Sequence, residues 1–195
     1  PININSGGRF YNVVGNVMGD PAVYSTYQSL QSTSFGDDDT AIYALGGNDG
    51  HGISTEATVK NTLFRWGNWD QVTSTSDNTD GDQTGTRWCG NSRNTGWASG
   101  CGSTTEVPTG LSFLPQPIPP TETLPASLYL TAKPSWFGTV RWPPIGPDVS
   151  GGDVTNMGGH VYKNPAVNCY LTTMSGPSNG SGSPLTFNRT TCYGS

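Results

Sequence analysis

The chain has 195 residues, a formal net charge of −5 and 12% charged residues, about half the usual charged fraction. Its 27 Gly and 15 Pro exclude long amphipathic helices. The nine Lys and Arg are scattered, which excludes the basic stripe that a nucleic-acid-binding protein needs. No stretch approaches the roughly 20 apolar residues of a transmembrane segment. Six Trp, eight Tyr and six Phe supply apolar area for a core, so composition predicts a folded β protein.

Residues 1–72 alternate short apolar segments with Gly-Asn turns. The strand-like segments, 8–18, 41–45 and 59–66, are rich in the β-branched and aromatic residues that strands prefer. Gly-Asn recurs at Gly15-Asn16, Gly47-Asn48 and Gly67-Asn68. This pattern predicts stacked coils in which an Asn amide hydrogen-bonds the equivalent Asn of the next coil. Ordinary Gly-Asn turns in an antiparallel sandwich are the alternative.

A weaker repeat supports the same interpretation. Three strand-like segments end in similar tripeptides, Val17-Met18-Gly19, Ala44-Leu45-Gly46 and Arg65-Trp66-Gly67. Their spacing suits a solenoid whose turns vary in length through loop insertions. We therefore expect these three glycines to mark equivalent positions in successive coils.

Residues 73–123 are predicted to form a Cys-containing insertion loop followed by a Pro-rich strap. Asp77, Asp80 and Asp82 lie close together on a Gly-containing part of this loop. Carboxylate oxygens are the ligands that calcium prefers, so calcium is the metal that this segment would bind. A solvated turn is the alternative.

The four cysteines fall into two close pairs, Cys89 with Cys101 and Cys169 with Cys192. Proximity along the chain favours a disulfide within each pair, and disulfides imply an oxidising compartment. We therefore expect an extracellular or cell-surface protein. Asn179 and Asn188 match the acceptor pattern for N-glycosylation.

Residues 124–195 are predicted to be a Pro- and Trp-rich cap with a disulfide-bonded tail, which completes one structural domain. Prolines surround its aromatic residues and prevent a long helix there. Aromatic faces pack well against sugar rings. Four tryptophans are therefore candidates for glycan binding: Trp66, Trp69, Trp136 and Trp142. The alternative is that the last two close the end of the core.

Several segments resemble the C-terminal part of bacterial secreted right-handed parallel β-helix repeat proteins, whose fold is that of the pectate-lyase-like superfamily. The resemblance lies in 8–19, 61–72, 124–129, 133–138, 142–148, 164–170 and 185–193. It implies an all-β fold, a right-handed parallel β-helix of few coils, with a long loop insertion and a C-terminal cap. The first coil would then present unpaired strand edges, which recruit further strands.

The sequence predicts an extracellular structural or adhesive module, with self-assembly into a surface polymer or filament through the open coil end. A fragment resembling a polysaccharide lyase and a non-catalytic glycan-binding module are the alternatives. The candidate bases for lyase chemistry are Lys60, Arg65, Lys133, Arg141 and Lys163. Lys60 and Arg65 lie in the last proposed coil, but no dense acidic cluster accompanies them. No residue is therefore assigned a catalytic role.

Overall fold

A computed structural model of the chain describes residues 2–30, 40–48, 52–72, 86–87, 108, 124–125, 127, 130–178, 181–182 and 184–193. The chain forms two compact units, Pro1–Leu124 and Pro125–Ser195. No helix among these described residues is long and apolar enough to cross a membrane.

The first unit consists of short strands and one short helix, α1. The strands are β1 (Ile2–Ile4), β2 (Asn12–Val14), β3 (Val17–Met18), β4 (Thr26–Leu30), β5 (Ala41–Leu45), β6 (Phe64–Trp66), β7 (Asn68–Asp70) and β8 (Thr86–Arg87), and α1 spans Thr58–Asn61. Helix α1 replaces part of the strand predicted over 59–66. Its Val59 is buried in the core, and the Thr62 hydroxyl donates to the carbonyl oxygen of Thr58 at 2.9 Å.

Two sets of three strands pair in parallel and in the same order. β1 pairs with β5, β2 with β6, and β3 with β7. We call β1, β2 and β3 the first triplet and β5, β6 and β7 the second triplet. Two neighbouring coils of a parallel β-helix require this pairing, and the β-helix itself stays a prediction.

Strand β4 does not follow the chain order of a simple solenoid. The first sheet has the order β1-β5-β4, and both pairings of β5 are parallel. All five residues of β5 are buried, because strands cover both of its edges and other parts of the core cover its side chains. Strand β8 adds to β7 in antiparallel direction.

The predicted contact between Gly-Asn turns is confirmed for Gly15-Asn16 and Gly67-Asn68. Both glycines have positive φ, +68° and +60°, which glycine adopts without steric cost. Oδ1 of Asn68 accepts from the backbone N–H of Asn16 at 3.0 Å and from its Nδ2 at 3.1 Å. Nδ2 of Asn68 donates to the carbonyl oxygen of Val13 at 2.8 Å. One buried amide therefore joins the two triplets.

The second expected repeat, which placed Gly19, Gly46 and Gly67 at equivalent positions, is wrong. Gly19 follows β3, Gly46 follows β5 and Gly67 follows β6. These strands belong to three different sheets. Each glycine therefore follows the end of a strand in a different sheet. The shared pattern reflects a strand end in each case and does not mark equivalent positions in successive coils.

Replacement of Asn68 by Ala is expected to lower the free energy of unfolding of the first unit by about 1–3 kcal/mol, because the buried carbonyl of Val13 loses its donor. Asn16→Ala is the matched control. It keeps the backbone bond to Asn68 and removes an exposed side chain together with its hydrogen bonds to Oδ1 of Asn68 and to the carbonyl oxygen of Val14. No buried group loses its only partner, so its effect should be smaller. Urea unfolding followed by circular dichroism measures both variants, and equal losses would contradict the assigned role of Asn68.

The described part of the second unit contains short helices rather than the expected β structure. A 3₁₀ helix spans Ser135–Phe137, α2 spans Pro165–Asn168, a π-helix spans Cys169–Thr173, and α3 spans Arg189–Tyr193. Asn164 caps α2, since its Oδ1 accepts from the backbone N–H of Val167 at 2.9 Å. Extended pairing in these described residues is limited to an antiparallel bridge between Ile145 and Val161.

Candidate functional site

Two of the four predicted glycan-binding tryptophans are buried in the first unit. Trp66 ends β6 and Trp69 lies in β7, with only 5% and 2% of their surface exposed. Both residues belong to strands of the second triplet, whose side chains are almost all buried. Neither ring therefore offers a face to a sugar, and the assignment of these two residues as a surface platform is corrected.

Trp136 is exposed on the second unit. Its 3₁₀ helix follows the extended Pro134 and ends at Gly138, where φ is +66°. This short helix turns neighbouring rings in different directions: Trp136 is 57% exposed, whereas Phe137 is 6% exposed. The proline and the glycine thus limit the helix to one turn and leave the tryptophan facing solvent.

Trp142 is half-buried and packs against Phe137. Their ring centroids lie 5.0 Å apart in an edge-to-face arrangement, which is a favourable geometry for aromatic pairs. Trp142 therefore covers the buried ring of Phe137 and keeps part of its own surface exposed.

The tail of the second unit adds two further rings next to Trp136. The centroid of Tyr193 lies 6.4 Å from that of Trp136 and 6.1 Å from that of Phe187. We call Trp136, Phe137, Trp142, Phe187 and Tyr193 the aromatic cluster. Phe187 is 57% exposed. Sequence reasoning missed Phe187 and Tyr193, although the position of Tyr193 directly after a paired cysteine was the available signal.

A disulfide between Cys169 and Cys192 holds the tail in place, as predicted. The two Cα atoms lie 5.2 Å apart. The bond joins the π-helix to α3, so it fixes the residue before Tyr193. The other predicted pair, Cys89 with Cys101, lies outside the described residues.

Asn188, one of the two predicted glycosylation positions, precedes α3 and is exposed. Its Oδ1 accepts from the backbone N–H of Thr191 at 3.0 Å, as an N-cap does. The other position, Asn179, lies outside the described residues. Glycosylation of either residue stays a prediction.

The second unit carries more positive than negative charge. Its basic residues are Lys133, Arg141, Lys163 and Arg189, and its acidic residues are Asp148 and Asp153. Asp153 forms an ion pair with Lys163, with Nζ and Oδ2 3.4 Å apart. The backbone N–H of Lys163, with help from its side chain, lowers the pKa of Asp153 against the opposing effect of desolvation. The two charges of this pair cancel, so the remaining basic residues of the second unit outnumber its remaining acidic residue.

Two of those remaining cations bind backbone carbonyls. Lys133 donates to the carbonyl oxygen of Val140 at 2.6 Å, and Arg141 donates to that of Ser150 at 3.3 Å. Arg189 lies at the start of α3, four residues before Tyr193. Residues four apart in a helix lie on the same face, so Arg189 shares a face of α3 with Tyr193.

Arg65, a candidate base for lyase chemistry, is buried in the first unit. Its guanidinium carbon lies 5.2 Å from the ring centroid of Tyr27 and 4.9 Å from that of Tyr43. Its Nη1 donates to Oε1 of Gln28 at 3.1 Å. With 1% of its surface exposed, Arg65 stabilises the core through cation–π contacts and does not reach a polysaccharide. Lys60, another candidate, lies in α1.

The predicted calcium ligands Asp77, Asp80 and Asp82 lie outside the described residues. In the part of the chain that the structure does describe, no three His, Cys, Asp or Glu residues come together in a way that could hold a metal ion. Calcium binding at the three aspartates stays a prediction.

Comparison of the chain with protein-family models, with curated proteins and with solved structures finds no match. The function must therefore be argued from the chain's own geometry.

Proposed function

We propose that this chain is an extracellular structural and adhesive module, built as a short parallel β-helix, that assembles with copies of itself through the outer edge of its first triplet. The observation that carries the proposal is the parallel pairing of two strand triplets in one order. The disulfide Cys169–Cys192 and the resemblance to secreted β-helix proteins support the extracellular location.

The edge proposed for assembly belongs to β2. One edge of β2 pairs with β6, and no described strand pairs with the other edge. A strand of a second copy that paired with this edge would extend the sheet, as exposed strand edges commonly allow. A contact between copies that does not close into a ring extends into a filament.

The surface next to this edge is suited to a protein partner. A groove of about 290 Å³ lies at the first triplet, and the side chains of Ile2, Val17, Met18 and Tyr24 line it together with the polar Asn16. Val14 of β2 and the neighbouring Tyr11 are also exposed. A second copy would cover this apolar surface together with the strand edge.

A positive charge placed on the β2 edge is expected to prevent assembly. Edge strands with lysine resist pairing with further strands, so Val14→Lys should remain monomeric at concentrations where the unchanged chain forms oligomers. Sedimentation velocity over a wide concentration range measures this difference. Val23→Lys is the matched control, because Val23 is similarly exposed but lies in a turn after β3.

Two results would contradict assembly through this edge. One is a stable monomer for the unchanged chain at every concentration. The other is equal dissociation of the Val14→Lys and Val23→Lys variants, which would show an effect of charge alone.

Binding of a polysaccharide is the adhesive part of the proposal. Because Trp66 and Trp69 are buried, the predicted glycan-binding residues that keep exposed surface are Trp136 and Trp142. Both belong to the aromatic cluster of the second unit. This part of the proposal therefore rests on residues separate from those of the strand edge.

A further inference from the structure

We propose that the aromatic cluster and Arg189 form a binding site for an acidic polysaccharide, a polymer of pyranose rings that carry carboxylate groups. This inference rests on the adhesive part of the proposed function and does not depend on assembly. It adds Phe187, Tyr193 and Arg189 to the site and specifies the charge of the ligand.

The exposed rings supply apolar faces for sugar stacking. Trp136 and Phe187 each have 57% of their surface exposed, although both contact another ring of the cluster. The planes of Trp136 and Tyr193 meet at 76°, so the two rings form a corner rather than a flat stack. A pyranose ring can pack its C–H face on Trp136 while its substituents reach the edge of Tyr193.

The charge of the second unit is complementary to an acidic ligand. Four basic residues stand against two acidic ones in a chain whose formal net charge is −5. Lys163 and Asp153 neutralise each other. Arg189 lies on the same side of α3 as Tyr193, and a guanidinium binds a carboxylate through paired hydrogen bonds. A neutral polysaccharide would use the rings but gain nothing from this cation.

The disulfide holds the tail side of the corner in place before any ligand arrives. Cys192 precedes Tyr193 and is bonded to Cys169, while Asn188 caps the start of α3. A site fixed in this way loses less conformational entropy on binding than a free tail. Covalent closure and capping therefore suit a ligand-binding surface.

Affinity electrophoresis with two soluble cellulose derivatives tests the ligand class. Carboxymethylcellulose carries carboxylates, whereas hydroxyethylcellulose has the same sugar backbone without charge. We expect carboxymethylcellulose to retard the chain and Trp136→Ala to weaken the binding about tenfold. Arg189→Gln should weaken it about threefold and reduce its dependence on salt. Ile53→Ala, which removes an exposed apolar side chain of the first unit outside the assembly surface, is the control and should bind normally.

The outcomes separate this inference from the proposed function. Equal binding of both polymers by the unchanged chain would overturn the acidic specificity and leave the adhesive function standing. Binding of neither polymer would overturn both. Unchanged binding after Trp136→Ala, with folding verified by circular dichroism, would place the ligand elsewhere. If Trp136→Ala instead dissociated an oligomer in sedimentation and no polymer bound, the cluster would be an interface between copies.

Discussion

Trp69→Ala is expected to lower the free energy of unfolding of the first unit by about 3–5 kcal/mol. Trp69 is among the largest fully buried side chains, and truncation of a buried aromatic ring leaves a cavity that the surrounding core fills only in part. The residue also sits where the triplets meet. It pairs with Val17, and its backbone N–H donates to the carbonyl oxygen of Asn16 at 2.9 Å.

Equilibrium unfolding in urea, followed by far-ultraviolet circular dichroism, measures this effect. Trp136→Ala is the matched control, because the same truncation at an exposed ring should cost about 1 kcal/mol or less. Equal losses for the two variants would contradict the placement of Trp69 in the core. A larger loss for Trp136→Ala would indicate that the aromatic cluster, and not the second triplet, is the better packed region.

Removal of the Cys169–Cys192 disulfide is expected to lower the stability of the second unit by about 3 kcal/mol in the chain-entropy account. The bond closes a loop with a sequence separation of 23 residues, and its loss restores that conformational freedom to the unfolded chain. The double variant Cys169→Ser, Cys192→Ser is preferable to a reducing agent. It leaves Cys89 and Cys101 untouched, so any change comes from one bond.

Thermal unfolding with near-ultraviolet circular dichroism measures the second prediction. The aromatic signal should melt earlier, since Trp136 and Tyr193 lose their fixed contact when α3 is released. Mass spectrometry of peptides from the non-reduced chain provides the control by showing that residues 169 and 192 are linked before substitution. An unchanged melting curve would mean that packing alone orders the tail.

The sequence was informative where a local rule decides the structure. Gly15-Asn16 and Gly67-Asn68 could be predicted to stack, because positive φ and an amide ladder both follow from residue type. The pairing of Cys169 with Cys192 followed from chain proximity. In each case the residue types themselves carry the required chemistry.

Burial of Trp66 and Trp69 could not be predicted, since a strand with the same residues can face either solvent or core. The position of β4 depends on β5, a strand that follows it in sequence, and no local pattern encodes that order. The contact between Trp136 and Tyr193 joins residues far apart in the chain. These features arise from tertiary packing, which single-sequence patterns describe poorly.

The strand order β1-β5-β4 constrains when the first unit can fold during synthesis. β5 lies between two strands that leave the ribosome before it, so neither can find its neighbour until Leu45 has emerged. β3 must wait longer, because its partner residues extend to Asp70. Ordinary solenoids grow by adding one repeat to the last. In this chain, most of the strand-forming part of the first unit must instead be synthesised before its strands can pair. Such non-local pairing is slow.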